Sequence, residues 1–421
     1  MLQRILQSSV HHRFLVILLT MAVAAFGTLS LLRLPIDAVP DITNNQVQIN
    51  TVYEALSPVE VEKQVTFPVE TALAGIPGLQ YTRSLSRNGF SQITAVFDDD
   101  VDIYFARNQV NERLGQAKES LPPGAEPIMG AISTGLGEIY MYTVEYEHTS
   151  GGTVQTKDGE PGFQTDGSYL TPEGEVLTTD LEKAAYLRTV QDWVIRPQLK
   201  GIAGVAGVDA IGGYVKEYHV QPDPRRLVAY GLTFADLIEA LERNNASTGA
   251  GYIEHKGESY LVRAAGRIST PQQISEMVIG SRDGTPIHIH DVASVAVGKE
   301  LRTGSASENG QEVVVGTALM LIGANSRTVA AAVDKKMEQV NKGLPEGIRA
   351  KTVLNRTKLV NATIQTVKKN LIEGAILVIV ILFVMLGNIR AALITALAIP
   401  LSMLFTAIGM VHYKISGNLM S

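Results

Sequence analysis

Apolar residues collect in three segments, residues 14–32, 371–386 and 391–411, and Glu373 is the only charge within them, while polar and apolar residues alternate between the segments. The first segment has no charge over 19 residues, about the length that crosses a ~30 Å bilayer core as a helix. The third contains Pro400, which membrane helices tolerate better than soluble ones. The pattern predicts three transmembrane helices.

Charged residues at the ends of these segments predict their orientation. Only residues 387–390 separate the second and third segments, so we expect a tight hairpin with Arg390 as the charge of its turn. Arg4, Arg13 and Arg390 then share one side of the membrane, which the positive-inside rule assigns to the cytoplasm. The region between residues 33 and 370 is expected on the other side.

The first segment has a second interpretation as a cleavable signal peptide, because arginines precede it and its "AVAA" stretch resembles a cleavage site. The apolar core of a signal peptide is usually ~7–15 residues, and this segment is longer. We therefore expect an anchor that is not cleaved.

The region between the apolar segments contains a weak internal repeat. Residues 68–86 and 196–213 each have the pattern of an amphipathic helix, a Gly-Ile-x-Gly break and a strand. A second amphipathic helix follows in each copy and ends in a Leu-Pro-x-Gly turn, but the second copy is longer by about 97 residues. These features predict an α+β fold of two βαβ-type units, one with an inserted module. The apolar faces of the second helices comprise Ile103, Val110, Leu114, Ala117 and Leu121, and Val329, Val333, Met337, Val340 and Leu344.

Three irregular stretches complete the prediction. The inserted module begins near Tyr214 and has a strand, a helix capped by Thr233 and a two-stranded hairpin at residues 249–266. Residues 147–179, rich in Gly, Thr and charge, are expected to be an exposed excursion. The acidic run at residues 98–102 fits a turn and helix N-cap better than a calcium loop.

Composition excludes several classes of function. The 421 residues carry a net charge of −6 with no basic stripe, which argues against nucleic-acid binding. The chain has no cysteine, so it forms neither disulfides nor thiolate metal sites. A Walker-A pattern and the Gly-x-Ser-x-Gly and His-Glu-x-x-His motifs are missing from the sequence, which makes an enzyme an unfavourable interpretation.

Two stretches have candidate metal ligands. In "HIHD", His288 and His290 would face the same side of a strand and reach one ion together with Asp291, although an exposed strand with polar alternation explains the pattern as well. In "STGLGEIY", Glu138 follows two glycines. A carboxylate at this position can approach a cation closely, because the glycines have no side chains to block it. The alternative to a metal ligand is an ordinary exposed acid at the start of a strand.

Polar and sulfur-containing residues within the apolar segments are weaker candidates. Glu373 is an intramembrane acid, but Lys368 and Lys369 lie one turn away and suggest an interfacial ion pair. Met385, Met403 and Met410 are expected to pack rather than to bind soft cations. His11 and His12 are expected at the membrane interface, and His255 in a solvated hairpin turn.

Five motifs together resemble the resistance-nodulation-division (RND) superfamily, and specifically its heavy-metal efflux branch of cobalt–zinc–cadmium and copper–silver export pumps. The motifs cover essentially the whole chain, and several are long and unbroken. They are "LPIDAVPDITNNQVQI", "PGLQYTRSLSRNGFSQITAVF", "STGLGEIY", "QDWVIRPQLKGIAGV" and "GNIRAALITALAIPLSMLF".

The resemblance implies a homotrimeric cation/proton antiporter, a multi-pass protein of the Gram-negative inner membrane with a large periplasmic domain. It implies a periplasmic adaptor and an outer-membrane channel as partners, a divalent cation such as zinc, cobalt or cadmium as substrate, and no cofactor. The implied boundaries are ferredoxin-like porter subdomains at 37–130 and at 131–213 with 281–365, and an inserted docking subdomain at 214–280. The membrane-spanning parts are then 1–36 and 366–421.

Within this branch, an acid at Glu138 suits the divalent-cation pumps and is the one metal ligand that we assign in this chain. The resemblance also implies that the chain is the N-terminal portion of a pump, ending before the fourth membrane helix. The alternatives are an RND transporter of drugs or lipids, a membrane-anchored periplasmic binding module without transport activity, and, least favoured, an envelope enzyme.

Overall fold

A computed structural model describes residues 9–417, except for residues 10, 35–41, 54–55, 150–151, 154–155, 246–247, 265, 269, 283, 301, 303, 388 and 414–416. The α-helices are α1 (Arg13–Arg33), α2 (Pro58–Val61), α3 (Phe67–Leu73), α4 (Ile103–Ala117), α5 (Asp180–Thr189), α6 (Arg196–Lys200), α7 (Pro224–Tyr230), α8 (Phe234–Asn244), α9 (Pro271–Ser275), α10 (Ile289–Val292), α11 (Ser326–Asn341), α12 (Arg356–Leu386) and α13 (Ile389–His412).

Short segments with other hydrogen-bond patterns continue some of these helices. They are the π-helical Glu62–Thr66 and Val190–Ile195 and the 3-10 turn Lys118–Ser120. The strands are β1 (Gln46–Val52), β2 (Leu79–Arg87), β3 (Phe90–Phe97), β4 (Glu126–Met129), β5 (Glu138–Tyr146), β6 (His148–Thr149), β7 (Gly152–Thr153), β8 (Gly162–Phe163), β9 (Tyr169–Leu170), β10 (Val176–Leu177), β11 (Val205–Ile211), β12 (Lys216–Pro222), β13 (Thr248–His255), β14 (Glu258–Ala264), β15 (Val278–Arg282), β16 (Thr285–His288), β17 (Ala293–Lys299), β18 (Ala306–Glu308), β19 (Gln311–Met320) and β20 (Ile348–Asn355).

The first sheet has the order β2-β3-β1-β4, with helical segments after β1 and between β3 and β4. It forms because the apolar positions of its strands and helices face one another. Ile49, Ile93, Val65 and Val110 are each at most 1% exposed in one core. Val110 and Leu114 of the predicted apolar face of α4 belong to this core, and Ile103 packs against it. Asp102 caps α4 by accepting from the backbone N–H of Tyr104, as the acidic run predicted.

The second sheet repeats this arrangement, with the order β11-β19-β5-β20 and helices after β5 and between β19 and β20. In both sheets the chain therefore follows a β-α-β-β-α-β path, and the second strand lies at one edge while the fourth lies at the other. A π-helical turn followed by a proline, Pro68 or Pro197, interrupts the first helical segment of each copy. The predicted internal repeat thus corresponds to two units of the same topology.

The insertion lies between β11 and β18, and it is longer than the predicted 214–280. Strand β17 pairs along its whole length with β12, from Lys216 opposite Lys299 to Pro222 opposite Ala293. Residues of α10 also pack into the same core as α7 and α8. The inserted unit therefore runs from β12 to β17, because the strand that closes it comes after residue 280. Thr233 caps α8 as predicted, and β13 and β14 form the predicted hairpin.

The prediction that residues 147–179 form an exposed excursion is wrong in part, because several of the described residues are buried while most of the others are exposed. Strands β8, β9 and β10 form a small sheet whose Phe163, Tyr169 and Leu177 are buried in the core of the second unit. The hydroxyl of Tyr169 donates to the carbonyl of Glu346 at 2.9 Å. Phe163, Tyr169 and Leu177 are six and eight positions apart, which matches neither the helical nor the strand period. The packing could therefore not be predicted from the pattern of apolar residues.

The three apolar segments are helical, and two of them pack closely. A Cβ added at Gly27 of α1 would lie 2.6 Å from Leu404 Cβ and 2.8 Å from the Leu404 carbonyl oxygen of α13. Ala396 and Ala407 of α13 are also buried. Among the described residues, one helix is long and apolar enough to cross a membrane, Arg13–Leu32, which has a mean hydropathy of 2.4. Ala396–His412 is a shorter apolar helical stretch.

Gly316 makes room for an aromatic ring in the second sheet. It lies opposite Tyr142, which is fully buried, and a Cβ at position 316 would lie 2.2 Å from that ring. We expect Gly316→Ala to lower the free energy of unfolding by about 1–3 kcal/mol, because overpacking displaces a buried side chain. Gly115→Ala, on an open face of α4, should instead raise it by up to about 1 kcal/mol. Denaturant unfolding compares the two, and equal midpoints would contradict this account.

Candidate functional site

Glu138 begins β5, and a local irregularity in the sheet directs its side chain to solvent. The pairing with β19 shifts between Ala318, opposite Tyr140, and Leu319, opposite Glu138, so that Ile139 is an extra residue on β5. Ile139 and Tyr140 are both fully buried, whereas Glu138 is exposed. Bulges of this kind change the direction of a side chain at the end of a strand.

The hydroxyl of Tyr140 fixes this end of β5 to α11. It donates to Asp334 Oδ1 at 2.8 Å, and burial raises the pKa of Tyr140 well above its usual range. The hydroxyl therefore keeps its proton throughout the physiological pH range. This hydrogen bond joins β5 to α11 two residues after Glu138.

The loop before Glu138 is tightly held. The Arg356 guanidinium, at the start of α12, donates to the carbonyl of Leu136 at 2.8 Å, and the backbone N–H of Met320 donates to the carbonyl of Gly137 at 2.7 Å. A Cβ at Gly137 would lie 1.8 Å from the Ser133 hydroxyl and 3.0 Å from the Thr134 carbonyl oxygen. A side chain at position 137 would therefore require the Ser133 hydroxyl to rotate and the Thr134 carbonyl to shift.

The site lies where three parts of the fold meet. Arg107 of α4 donates to the carbonyl of Gly130 at 2.9 Å, and the backbone N–H of Gly130 donates to Gln48 of β1 at 2.8 Å. The first unit is thereby tied to the segment that leads into the glycine loop. Arg356 ties the same loop to the helix that continues into the second apolar segment. A cation bound at Glu138 would thus contact an element joined to both units and to α12.

Arg356→Met should loosen this loop. We expect the free energy of unfolding to fall by about 1.5–3 kcal/mol, the usual contribution of a hydrogen bond to a charged group. Amide hydrogen exchange at residues 134–137 should accelerate. Arg327→Met, at an exposed position of α11, is the matched control and should change neither quantity. Unchanged exchange in Arg356→Met would show that the guanidinium does not hold the loop.

The structure corrects the strand expected at "HIHD". Strand β16 ends at His288, and the short helix α10 begins at Ile289, so the two histidines do not alternate on one strand. They are nevertheless adjacent, with ring centroids 5.1 Å apart, and Asp291 lies beside them. Among the described residues, this is the one group of three metal-ligating side chains close enough to share an ion. Glu138 does not belong to it.

Arg390 lies in the first turn of α13, beside the connection between the two apolar helices. Gly387 ends α12 with φ +62°, Asn388 is outside the described residues, and α13 already begins at Ile389. The left-handed conformation of Gly387 is the usual way for a helix to end. The side chain of Arg390 is exposed.

Other candidates behave as ordinary structural residues. Glu373 lies 3.9 Å from Lys369 in an exposed i,i+4 ion pair, as the lysines predicted. Met385 and Met403 are exposed on α12 and α13. His255 ends β13 and is exposed beside the hairpin turn, and the rings of His11 and His12 contact each other at 5.1 Å.

The contributions of Arg107 and Arg356 could not be found from the sequence. Arg356 is 220 positions from the carbonyl that it binds, and Arg107 is 23 positions from its partner. Neither distance corresponds to a periodic pattern or a local motif. Asn355, which caps α12 just before Arg356, is the single local signal at this point.

Comparisons with known proteins agree with this architecture. The chain is 58% identical to the nickel-cobalt-cadmium resistance protein NccA of Alcaligenes xylosoxydans xylosoxydans and 57% identical to the nickel and cobalt resistance protein CnrA of Cupriavidus metallidurans. Both matches cover 100% of this chain and 39% of the relative, so the chain spans about two fifths of their length.

A crystal structure of a heavy metal efflux pump matches 97% of this chain and 38% of that protein, with a TM-score of 0.80 and 31% identity. The family profile described as AcrB/AcrD/AcrF matches residues 5–421. These findings confirm the resemblance to heavy-metal RND pumps, and the chain belongs to the AcrB/AcrD/AcrF family.

Proposed function

We propose that this chain is the N-terminal portion of a proton-driven RND pump that exports divalent heavy-metal cations. The observation that carries the proposal is the unbroken match to relatives named for nickel, cobalt and cadmium resistance. The cation is the transported substrate, protons are the coupling ions, and the protein needs no cofactor. The carboxylates of the proton relay are expected in the part of the relatives that this chain does not span.

The two β-α-β-β-α-β units are proposed to be ferredoxin-like porter subdomains, at 37–130 and at 131–213 with its continuation before residue 365. The unit from β12 to β17 is proposed as the docking subdomain. Its exposed hairpin, with Tyr252, Ile253 and Tyr260 on the surface, is suited to contacts with another protein. Trimer formation and contacts with an adaptor and an outer-membrane channel are part of the same proposal.

The helices α1, α12 and α13 are proposed to cross the inner membrane, with Arg390 on the cytoplasmic side. Their exposed apolar side chains support this, because lipid is the medium in which such surfaces are stable. The close approach of Gly27 to Leu404 supports a retained anchor over a cleaved signal peptide, since small residues let membrane helices approach closely.

Glu138 is proposed to be one ligand of the transported cation. Its side chain is exposed at the end of a strand that is hydrogen-bonded to α11, and the loop beside it carries two glycines, Gly135 and Gly137. Carboxylate oxygen is a suitable ligand for zinc and cobalt. The other ligands would come from the parts of the relatives beyond this chain.

A growth assay tests the proposed function. The complete reading frame of the parent gene is expressed in a metal-sensitive Gram-negative host that lacks its own pumps. We expect higher tolerance to zinc, cobalt or nickel and unchanged tolerance to a hydrophobic drug. Tolerance to the drug alone would indicate a different substrate class, and no change in either would contradict transport.

A further inference from the structure

We propose that His288, His290 and Asp291 form a second divalent-metal site, located on the inserted unit and separate from Glu138. It would take a borderline cation such as Zn²⁺, Co²⁺ or Ni²⁺, for which imidazole and carboxylate are suitable ligands. The site does not depend on the proposed transport activity.

The hydrogen bonds of His290 determine which of its nitrogens is available. Nδ1 lies 2.9 Å from the carbonyl oxygen of Ser275. A carbonyl oxygen only accepts, so Nδ1 carries the proton and donates it. In the neutral ring, Nε2 is then a bare lone pair. A histidine held by a backbone carbonyl in this way has the tautomer and orientation typical of a metal ligand.

That lone pair points toward a carboxylate. Nε2 of His290 lies 3.5 Å from Asp291 Oδ1, and Nδ1 of His288 lies 3.9 Å from Asp291 Oδ2. Two acceptors that face each other repel unless a cation lies between them. Ligands of a tetrahedral zinc lie about 3.3 Å from one another, given zinc–ligand bonds near 2.0–2.1 Å. One ligand atom from each residue lies within 4.8 Å of the others, so the atoms must move closer by up to about 1.5 Å to bind one ion together.

The backbone that carries these ligands is anchored. Ile289 and Val292 alternate with the ligands and are fully buried in the core of the inserted unit. The backbone N–H of Ile289 donates to Met277 at 2.9 Å, and that of His288 donates to Asp291 Oδ2 at 2.8 Å. The second bond leaves Oδ1 of Asp291 for the ion.

The exposure of the ligands indicates an exchangeable site. The side chains of His288, His290 and Asp291 are 32%, 55% and 31% exposed, respectively. With three protein ligands and solvent access, a fourth position remains open to water. We therefore infer a site that loads and releases a cation at the surface of the inserted unit rather than one that holds the fold together.

Titration of the whole chain in detergent with Zn²⁺ tests the site. Isothermal titration calorimetry is performed on the Glu138→Gln chain, so that Zn²⁺ binding to the proposed transport ligand does not contribute. We expect one equivalent of Zn²⁺ to bind, with at least tenfold lower affinity in His290→Gln and in His288→Gln. When Co²⁺ is added instead, we expect a visible absorption band that these two variants lose. His255→Gln, an exposed histidine of the same unit, is the matched control and should leave binding unchanged.

Four results would overturn the proposal. Zn²⁺ affinity that is unchanged in both variants would show that the cluster is only an imidazolium–carboxylate ion pair. An equal loss in His255→Gln would show nonspecific binding to surface histidines. If the chain binds no Zn²⁺, the site does not exist. If circular dichroism shows that both variants are unfolded, the histidines have a purely structural role. If any of these four results is obtained while the growth assay still shows metal tolerance, the second metal site is wrong and the proposed transport function stands.

Discussion

Glu138→Gln in the complete pump should reduce tolerance to zinc and cobalt to nearly that of a host without the pump. The substitution keeps the size and hydrogen-bonding capacity of the side chain but removes its charge, which is the property that a divalent cation requires. Removing a group that supports metal binding typically weakens affinity by about 10–100-fold. Because Glu138 is exposed at the start of a strand, folding should be unaffected.

Glu126→Gln is the matched control, because Glu126 is also an exposed glutamate at the first position of a strand, β4. Its tolerance and expression level should equal those of the unaltered pump. If Glu138→Gln retains full tolerance at an equal expression level, Glu138 is an ordinary surface acid. If both variants lose tolerance together, the effect is one of general surface charge and not of a ligand.

Gly27→Ala should separate two of the apolar helices. A methyl group at this position would lie 2.8 Å from a backbone oxygen and 2.6 Å from Leu404 Cβ, and neither of these atoms can move without moving α13. We expect a loss of about 1–3 kcal/mol in the free energy of unfolding in detergent, the usual consequence of overpacking. A lower melting temperature and weaker packing of α1 against α13 should follow.

Gly409→Ala, on the partner helix α13, should give the opposite result. A Cβ at Gly409 meets no atom within 4 Å, so alanine should stabilise α13 by up to about 1 kcal/mol through its higher helix propensity. The two variants differ by one methyl group each and should shift the melting temperature in opposite directions. Shifts of the same sign would mean that α1 and α13 do not pack through Gly27.

The elements set by local patterns could be predicted from the sequence. The apolar faces of α4 and α11, the caps Asp102 and Thr233 and the repeat of two similar units all follow from short-range periodicity and capping. The same reasoning found Glu138 at a strand start after a glycine loop. The caps and the apolar faces depend on residues close together in the chain, and the repeat depends on the same local pattern occurring twice.

Features set by distant contacts could not be predicted. The insertion closes on β17 because that strand pairs with β12, about 75 residues earlier in the chain, and composition does not indicate such pairing. "HIHD" alternates as a strand would, but burial of Ile289 and Val292 in a separate core turns the chain into a helix after His288. Burial of Phe163 and Tyr169 within a glycine-rich stretch is a third case.

Metal flux into proteoliposomes is the measurement that tests the central claim most directly. The complete parent protein is reconstituted with a metal-sensitive dye inside, and a proton gradient is imposed across the membrane. The account predicts zinc or cobalt entry that requires the gradient, stops when the gradient is collapsed and falls at least tenfold in Glu138→Gln but not in Glu126→Gln. Metal entry that does not respond to the gradient, or no entry at all from a folded protein, would contradict the assignment of this chain to a proton-driven metal pump.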